Sequence, residues 1–183
     1  MNSIIGMKIK LVIVTFCCLL IFSCNNTNSR KDKKVNENAY MNLDNQKLIE
    51  SNKALVHKLY KSMNESNWAV AKTLVDKDYR HYYLKDTAFA SIPWSGFEEG
   101  NRMSRKGFPD WSLTPIKVIA EGEYVSVLLQ GHGTHRGEFA GIPATNIKAS
   151  APIMVIHQIR NGKIIADWEM SNTDLFLKQL KKN

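Results

Sequence analysis

Beyond position 24 the chain contains no cysteine, since its 3 cysteines are Cys17, Cys18 and Cys24. A disulfide framework and a thiolate metal site are therefore excluded from almost all of the 183 residues, and the chain suits an oxidising compartment. No Gly-x-Ser-x-Gly elbow, no Cys–His pair and no His-x-x-x-His spacing occurs, which removes the usual nucleophile and zinc motifs. Glycine and proline are few, at 10 and 5, so neither a collagenous nor a low-complexity chain is encoded. Long apolar runs are missing too. Ile9 to Phe22 is about fourteen residues, whereas a bilayer-spanning helix needs roughly 20. The formal charge is +8, but its lysines and arginines form no stripe interleaved with aromatics, so nucleic acid is not an expected partner.

That short apolar run has its own reading. Lys8 and Lys10 precede Leu11–Phe22, and Ser23-Cys24 follows. A basic start, a short hydrophobic stretch and a small residue before the cut make a secretory signal over residues 1–23. Cysteine directly after the small residue resembles a bacterial lipobox, which implies acylation of Cys24 and a membrane-anchored lipoprotein on the exported side. A plain signal peptide is the alternative. Residues 24–45 are rich in Asn, Lys and Ser and read as a flexible tether. Arg30-Lys31-Asp32-Lys33-Lys34 could meet anionic headgroups or simply be solvated.

The folded part is expected over 46–183. Helical spacing runs from Gln46 to Met63, with Leu48, Leu55, Leu59 and Met63 near one face. A shorter helix is expected from Trp68 to Val75 and a third from Ser95 to about Lys106, stopped at Phe108-Pro109-Asp110. After Trp111 the period changes to 2. Trp111–Ala120 and Tyr124–His135 form a hairpin across Glu121-Gly122-Glu123. Ile147–Arg160 and Lys163–Met170 form a second across Asn161-Gly162. Thr173 is placed to cap a last helix ending near Lys181. Helices followed by long antiparallel strands give an α+β fold in one domain.

Several short motifs then occur in order: Phe108-Pro109-Asp110, Ala120-Glu121-Gly122, Gly133 to Phe139, Gly141-Ile142-Pro143-Ala144-Thr145, Asn161-Gly162-Lys163-Ile164, Trp168-Glu169 and Leu177 to Leu180. Together, over about residues 48–181, they resemble the SnoaL-like polyketide cyclase (ester cyclase) family of the nuclear-transport-factor-two-like superfamily. The resemblance implies a cone: a curved antiparallel sheet wrapped around N-terminal helices, a short C-terminal helix, and a deep pocket for an apolar small molecule. It implies aldol-type ring closure without metal or cofactor, an aspartate acting as acid and base. That position is Glu169 here, the family histidine fourteen residues earlier is Val155, and the polar residue after the second helix is His81. Cones of this superfamily often pair through the open sheet face, which leaves a homodimer open. Many exported members only bind ligands, so a non-catalytic binding lipoprotein stands as the alternative to an enzyme.

The candidate residues also read from chemistry alone. Glu169 and Asp167 share a strand face, and burial beside another carboxyl raises a carboxyl pKa toward working pH. His81, between Asp78-Tyr79 and Tyr82-Tyr83, is a candidate acid, base or orienter. His157 lies two residues beyond Val155 on the same face and could replace the missing histidine. His135 shares parity with Val125, Val127 and Leu129, and either meets a substrate oxygen or a buried structural neighbour. Trp94 either covers the pocket mouth or packs in the core, and Trp111, Trp168 and Phe139 read as core. His132 and His135 fall on opposite strand faces, so a shared metal is not expected.

Overall fold

The computed structural model describes the backbone of residues 25–181 and the side chains of residues 40–181. The signal-peptide reading of residues 1–23 and the acylation of Cys24 lie outside these residues. The chain divides into two compact units, Met1–Gln46 and Lys47–Asn183. None of the helices among the described residues is long and apolar enough to cross a membrane.

Helix α1, Asn25–Asn64, carries the first departure from the sequence reading. Residues 25–45, expected as a flexible tether, are helical. Polarity alone suggested a tether, yet no glycine or proline interrupts residues 25–64, and lysine, glutamate and alanine are good helix formers. The apolar side chains of this stretch nevertheless remain exposed, Tyr40, Met41 and Leu43 among them.

The second unit begins with the C-terminal half of α1. Its buried face is Val56, Leu59, Tyr60 and Met63, an i, i+3, i+4, i+7 stripe; Leu48, expected on that face, is exposed. Side-chain amides pin this helix: Asn52 Nδ2 donates to Gly122 O at 2.9 Å, and Asn64 pairs with both the N–H and the carbonyl of Leu113. Helix α2, Trp68–Leu74, is capped by Asn67, whose Oδ1 accepts from Val70 N.

Two strands then follow that the sequence reading lacked: β1, Val75–Lys85, and β2, Ala88–Pro93. Helix α3, Trp94–Gly107, leads to β3, Ser112–Glu121, and β4, Tyr124–Thr134. Next come β5, Lys148–Arg160, β6, Lys163–Ser171, and α4, Thr173–Leu180. The cap of α4 is Asn172, whose side chain accepts from Leu175 N, not the expected Thr173. Asn161 and Gly162 both have positive φ, 52° and 69°, as a two-residue hairpin turn between twisted strands requires.

The six strands form one curved open sheet in the order β2-β1-β6-β5-β4-β3. It is not wholly antiparallel, as the resemblance implied, because β1 runs parallel to β6. One face carries the core: Val125, Val127 and Leu129 of β4 and Val155 and Ile159 of β5 pack toward α1 and α2 residues. A second cluster, around Phe108, Phe176 and Leu180, seats α4 against β5. The architecture is the α+β cone expected from the sequence.

Candidate active site

The β1–β6–β5 ladder brings three candidates into one row. His81 of β1 stands opposite Asp167 of β6, and His157 of β5 stands opposite Asp167 from the other side. In pleated strands, opposed residues share a face, so the row needs no loop to assemble it. Asp167 Oδ1 accepts from His81 Nδ1 at 2.6 Å, and Oδ2 accepts from the Tyr79 hydroxyl at 2.6 Å. His157 Nδ1 lies 3.6 Å from Oδ2, too long for a hydrogen bond. Tyr60 of α1 places its hydroxyl 2.7 Å from His157 Nε2. Asp167 is 2% exposed, His157 1% and His81 7%.

These groups lie at a cavity of about 370 Å³ lined by 25 residues. His81, His157, Asp167 and Glu169 all line it, and its walls include Phe97, Phe108, Trp111 and Phe176. Trp111, read from sequence as core, thus faces the cavity. No lysine or arginine is among the lining residues.

Burial works against an imidazolium at His81, but its hydrogen bond to Asp167 and the charges of Asp167 and Glu169 outweigh it. The His81 pKa therefore lies above the ordinary imidazole value. With Nδ1–H committed to Asp167, Nε2 is the remaining nitrogen and has no hydrogen bond among the described residues. His157 moves the other way: burial, helped by the charge of His81 and opposed by Asp167, lowers its pKa. Tyr60 and Tyr79 are pushed well above the usual phenol value, first by burial and then by Asp167. Both keep their phenolic proton, and Tyr79 donates its own to Asp167.

Glu169 sits one pleat along from the row, between Tyr83 of β1 and Val155 of β5. Burial raises its pKa, with Asp167 adding and His81 and the Ser171 hydroxyl opposing. Ser171 donates to Oε1 at 3.1 Å, while Oε2 accepts from no described residue. The expected catalytic carboxylate thus reaches the cavity but holds no histidine. The carboxylate–histidine contact belongs instead to Asp167, and His157 faces Asp167 rather than Glu169.

Two candidates fall elsewhere. His135 is fully buried and does not line this cavity. Its Nδ1 meets Thr145 Oγ1 at 3.0 Å and its ring stacks on Phe108, centroids 5.0 Å apart. A substrate contact from His135 is thereby replaced by the structural role, supporting the Phe108 wall from behind. Trp94 is not a cover over the cavity either. It starts α3, donates from Nε1 to Glu98 Oε2 at 2.9 Å and packs against Tyr79 and Phe97. Tyr60 and Tyr79 are the site residues that the sequence reading does not offer as candidates. The i+4 spacing of Tyr60 from Val56 marks it as inward-facing, and an inward tyrosine must place its hydroxyl on a partner. Among the described residues, no group of three or more His, Asp or Glu side chains could hold a metal ion.

A curved sheet that places an acid–histidine row at an aromatic cavity makes this an α+β cone with a small-molecule-sized pocket. The profile of the SnoaL-like polyketide cyclases matches residues 53–180, and the chain belongs to that family. Solved structures of similar fold include AclR from Streptomyces galilaeus, with 23% identity, a TM-score of 0.66, and coverage of 74% of this chain and 83% of AclR. IdmH from Streptomyces antibioticus is 20% identical with a TM-score of 0.65, covering 72% of this chain and 99% of IdmH. A SnoaL-like protein from Jannaschia sp. CCS1 is 16% identical with a TM-score of 0.66, covering 74% and 95%. No curated protein sequence matches the chain.

Proposed function

We propose that this protein is an exported, lipid-anchored enzyme that performs cofactor-free acid–base chemistry on an apolar carbonyl compound, with His81 as the base. The observation that carries this reading is the buried Asp167–His81 pair at an aromatic cavity. IdmH is described as a candidate polyketide cyclase and AclR as a candidate hydroxylase, so fold alone does not choose the reaction.

In this mechanism Asp167 holds Nδ1–H and leaves the Nε2 lone pair for a proton next to a substrate carbonyl. The negative charge of Asp167 stabilises the imidazolium that forms. The enolate attacks a second carbonyl of the same molecule, a carbon–carbon bond closes the ring, and the new alkoxide takes its proton back from Nε2. Proton transfer by a positioned side chain contributes about 10²–10⁴ in rate. Asp167 is a positioning residue here, and Tyr79, donating to its other oxygen, fixes the carboxylate plane.

A ligand-binding role without turnover is the second reading, favoured by Val155 at the position of the family histidine. Exchange of α-hydrogens in D2O, followed by NMR on the bicyclic ketone 2-tetralone, separates the two. The wild type should accelerate exchange and His81→Gln should lose about 10²-fold or more of that rate. Binding without accelerated exchange in either protein assigns the pocket to ligand capture. Anchoring is tested separately: Cys24→Ser should move the protein from the detergent-partitioning to the soluble exported fraction, and an unchanged partition would sink the lipoprotein reading.

A further inference from the structure

Glu169 is a cavity carboxylate with no ion-pair partner among the described residues, His81 reaching it only through its charge. Its one hydrogen bond is from the Ser171 hydroxyl, and no lysine or arginine approaches it within ion-pair distance among the described residues. The cavity wall contains two carboxyl groups, Asp167 and Glu169, yet no lysine or arginine, in a chain whose formal charge is +8. The two carboxyls are not equivalent. Both oxygens of Asp167 are occupied, by Tyr79 and His81, whereas Glu169 Oε2 has no partner among the described residues. Tyr83 is its cross-strand neighbour, and Phe97, Phe108, Trp111 and Phe176 supply ring surface in the same cavity. A carboxylate with a free oxygen beside aromatic rings is the usual way to hold an organic cation. A ligand carboxylate or phosphate would meet two like charges in a partly dehydrated site and no permanent cation.

We infer that Glu169 is a recognition site for a protonated amine, so that the carbonyl compound this pocket takes is an aromatic one bearing a basic nitrogen. The inference rests on the pocket reading above and assigns the second carboxyl a task separate from proton transfer. The ammonium donates to Oε2 and places the aromatic body along the ring wall, leaving His81 Nε2 to face the carbonyl carbon's neighbour.

Three probes of one shape and different charge test it: 1-naphthylmethylamine, 1-naphthylmethanol and 1-naphthoate, with affinities measured on the full chain at neutral pH by fluorescence titration. The amine should bind at least about tenfold tighter than the alcohol, a difference of about 1.4 kcal/mol, and naphthoate should bind weakest. Glu169→Gln should bring the amine to the level of the alcohol while leaving the alcohol unchanged. Equal affinities for amine and alcohol in the wild type, or tighter binding of naphthoate, would overturn the inference and leave the pocket reading standing. A preference for the amine that survives Glu169→Gln would overturn it as well. If no probe binds, the pocket reading fails together with it. The wild-type series needs no substitution, so a poorly folding variant cannot hide the answer.

Discussion

Asp167 is the residue on which the site turns, because Tyr79 and His81 of β1 donate to it and His157 of β5 stands opposite it. Replacing it with asparagine keeps the shape but removes the charge that raises the His81 pKa. NMR titration of His81 in Asp167→Asn should show its pKa falling, and unfolding should become easier by about 1–3 kcal/mol as buried partners lose a strong acceptor. Tyr60→Phe leaves His157 Nε2 without its partner, and a similar loss of about 1–3 kcal/mol is expected. The pH dependence has two signs. His81 and Glu169 have raised pKa values in the fold, so their contribution is fully present below their ordinary values and is lost as pH rises through the raised ones. His157 is depressed, so its contribution is present above the ordinary imidazole value and is lost as pH falls through the lower one. His157→Gln should therefore flatten the acid side of the stability profile, as measured by chemical unfolding across that range.

Elements explain which parts of this site were readable. Strands β3 to β6 alternate clearly because their inner positions are aliphatic, as in Val125, Val127 and Leu129. Strand β1 hides its pattern: its inner residues Tyr79 and His81 are polar or aromatic because they serve the site, and charged residues fill much of the rest. Periodicity sees apolar alternation, so the strand that carries the candidate base is one of the two it misses. Parity placed Asp167 and Glu169 on one face, but parity says nothing of which residues lie across the ladder. The parallel pairing of β1 with β6 joins residues 86 positions apart, and that contact is what makes Asp167 rather than Glu169 the partner of a histidine. Element packing also constrains the cavity wall. A Cβ on Gly131 would lie 2.6 Å from Trp111 Cζ2, so Gly131→Ala must push a ring that lines the cavity. Calorimetry should record a destabilisation of about 1–3 kcal/mol, with altered affinity for the naphthyl probes.

At the scale of the whole molecule, the cavity and its acid–histidine row lie within the unit Lys47–Asn183. Side chains of residues 40–46 are exposed throughout, so a chain starting at Lys47 should unfold within a few degrees of the full-length protein. A larger fall in the midpoint would give the preceding segment a stabilising role. The family was legible in ordered motifs spread over the chain, while the buried His81–Asp167 contact was not, because only the parallel pairing of β1 with β6 brings the two residues together. The central claim is that His81, held by Asp167, is the base. The most direct test compares two titrations in the same sample series: the His81 imidazole by NMR, and the rate of α-hydrogen exchange in 2-tetralone. The rate should rise as His81 loses its proton, with a midpoint that matches the NMR pKa above 6.5 and shifts down with it in Asp167→Asn. An exchange rate that ignores the titration of His81 would contradict the account.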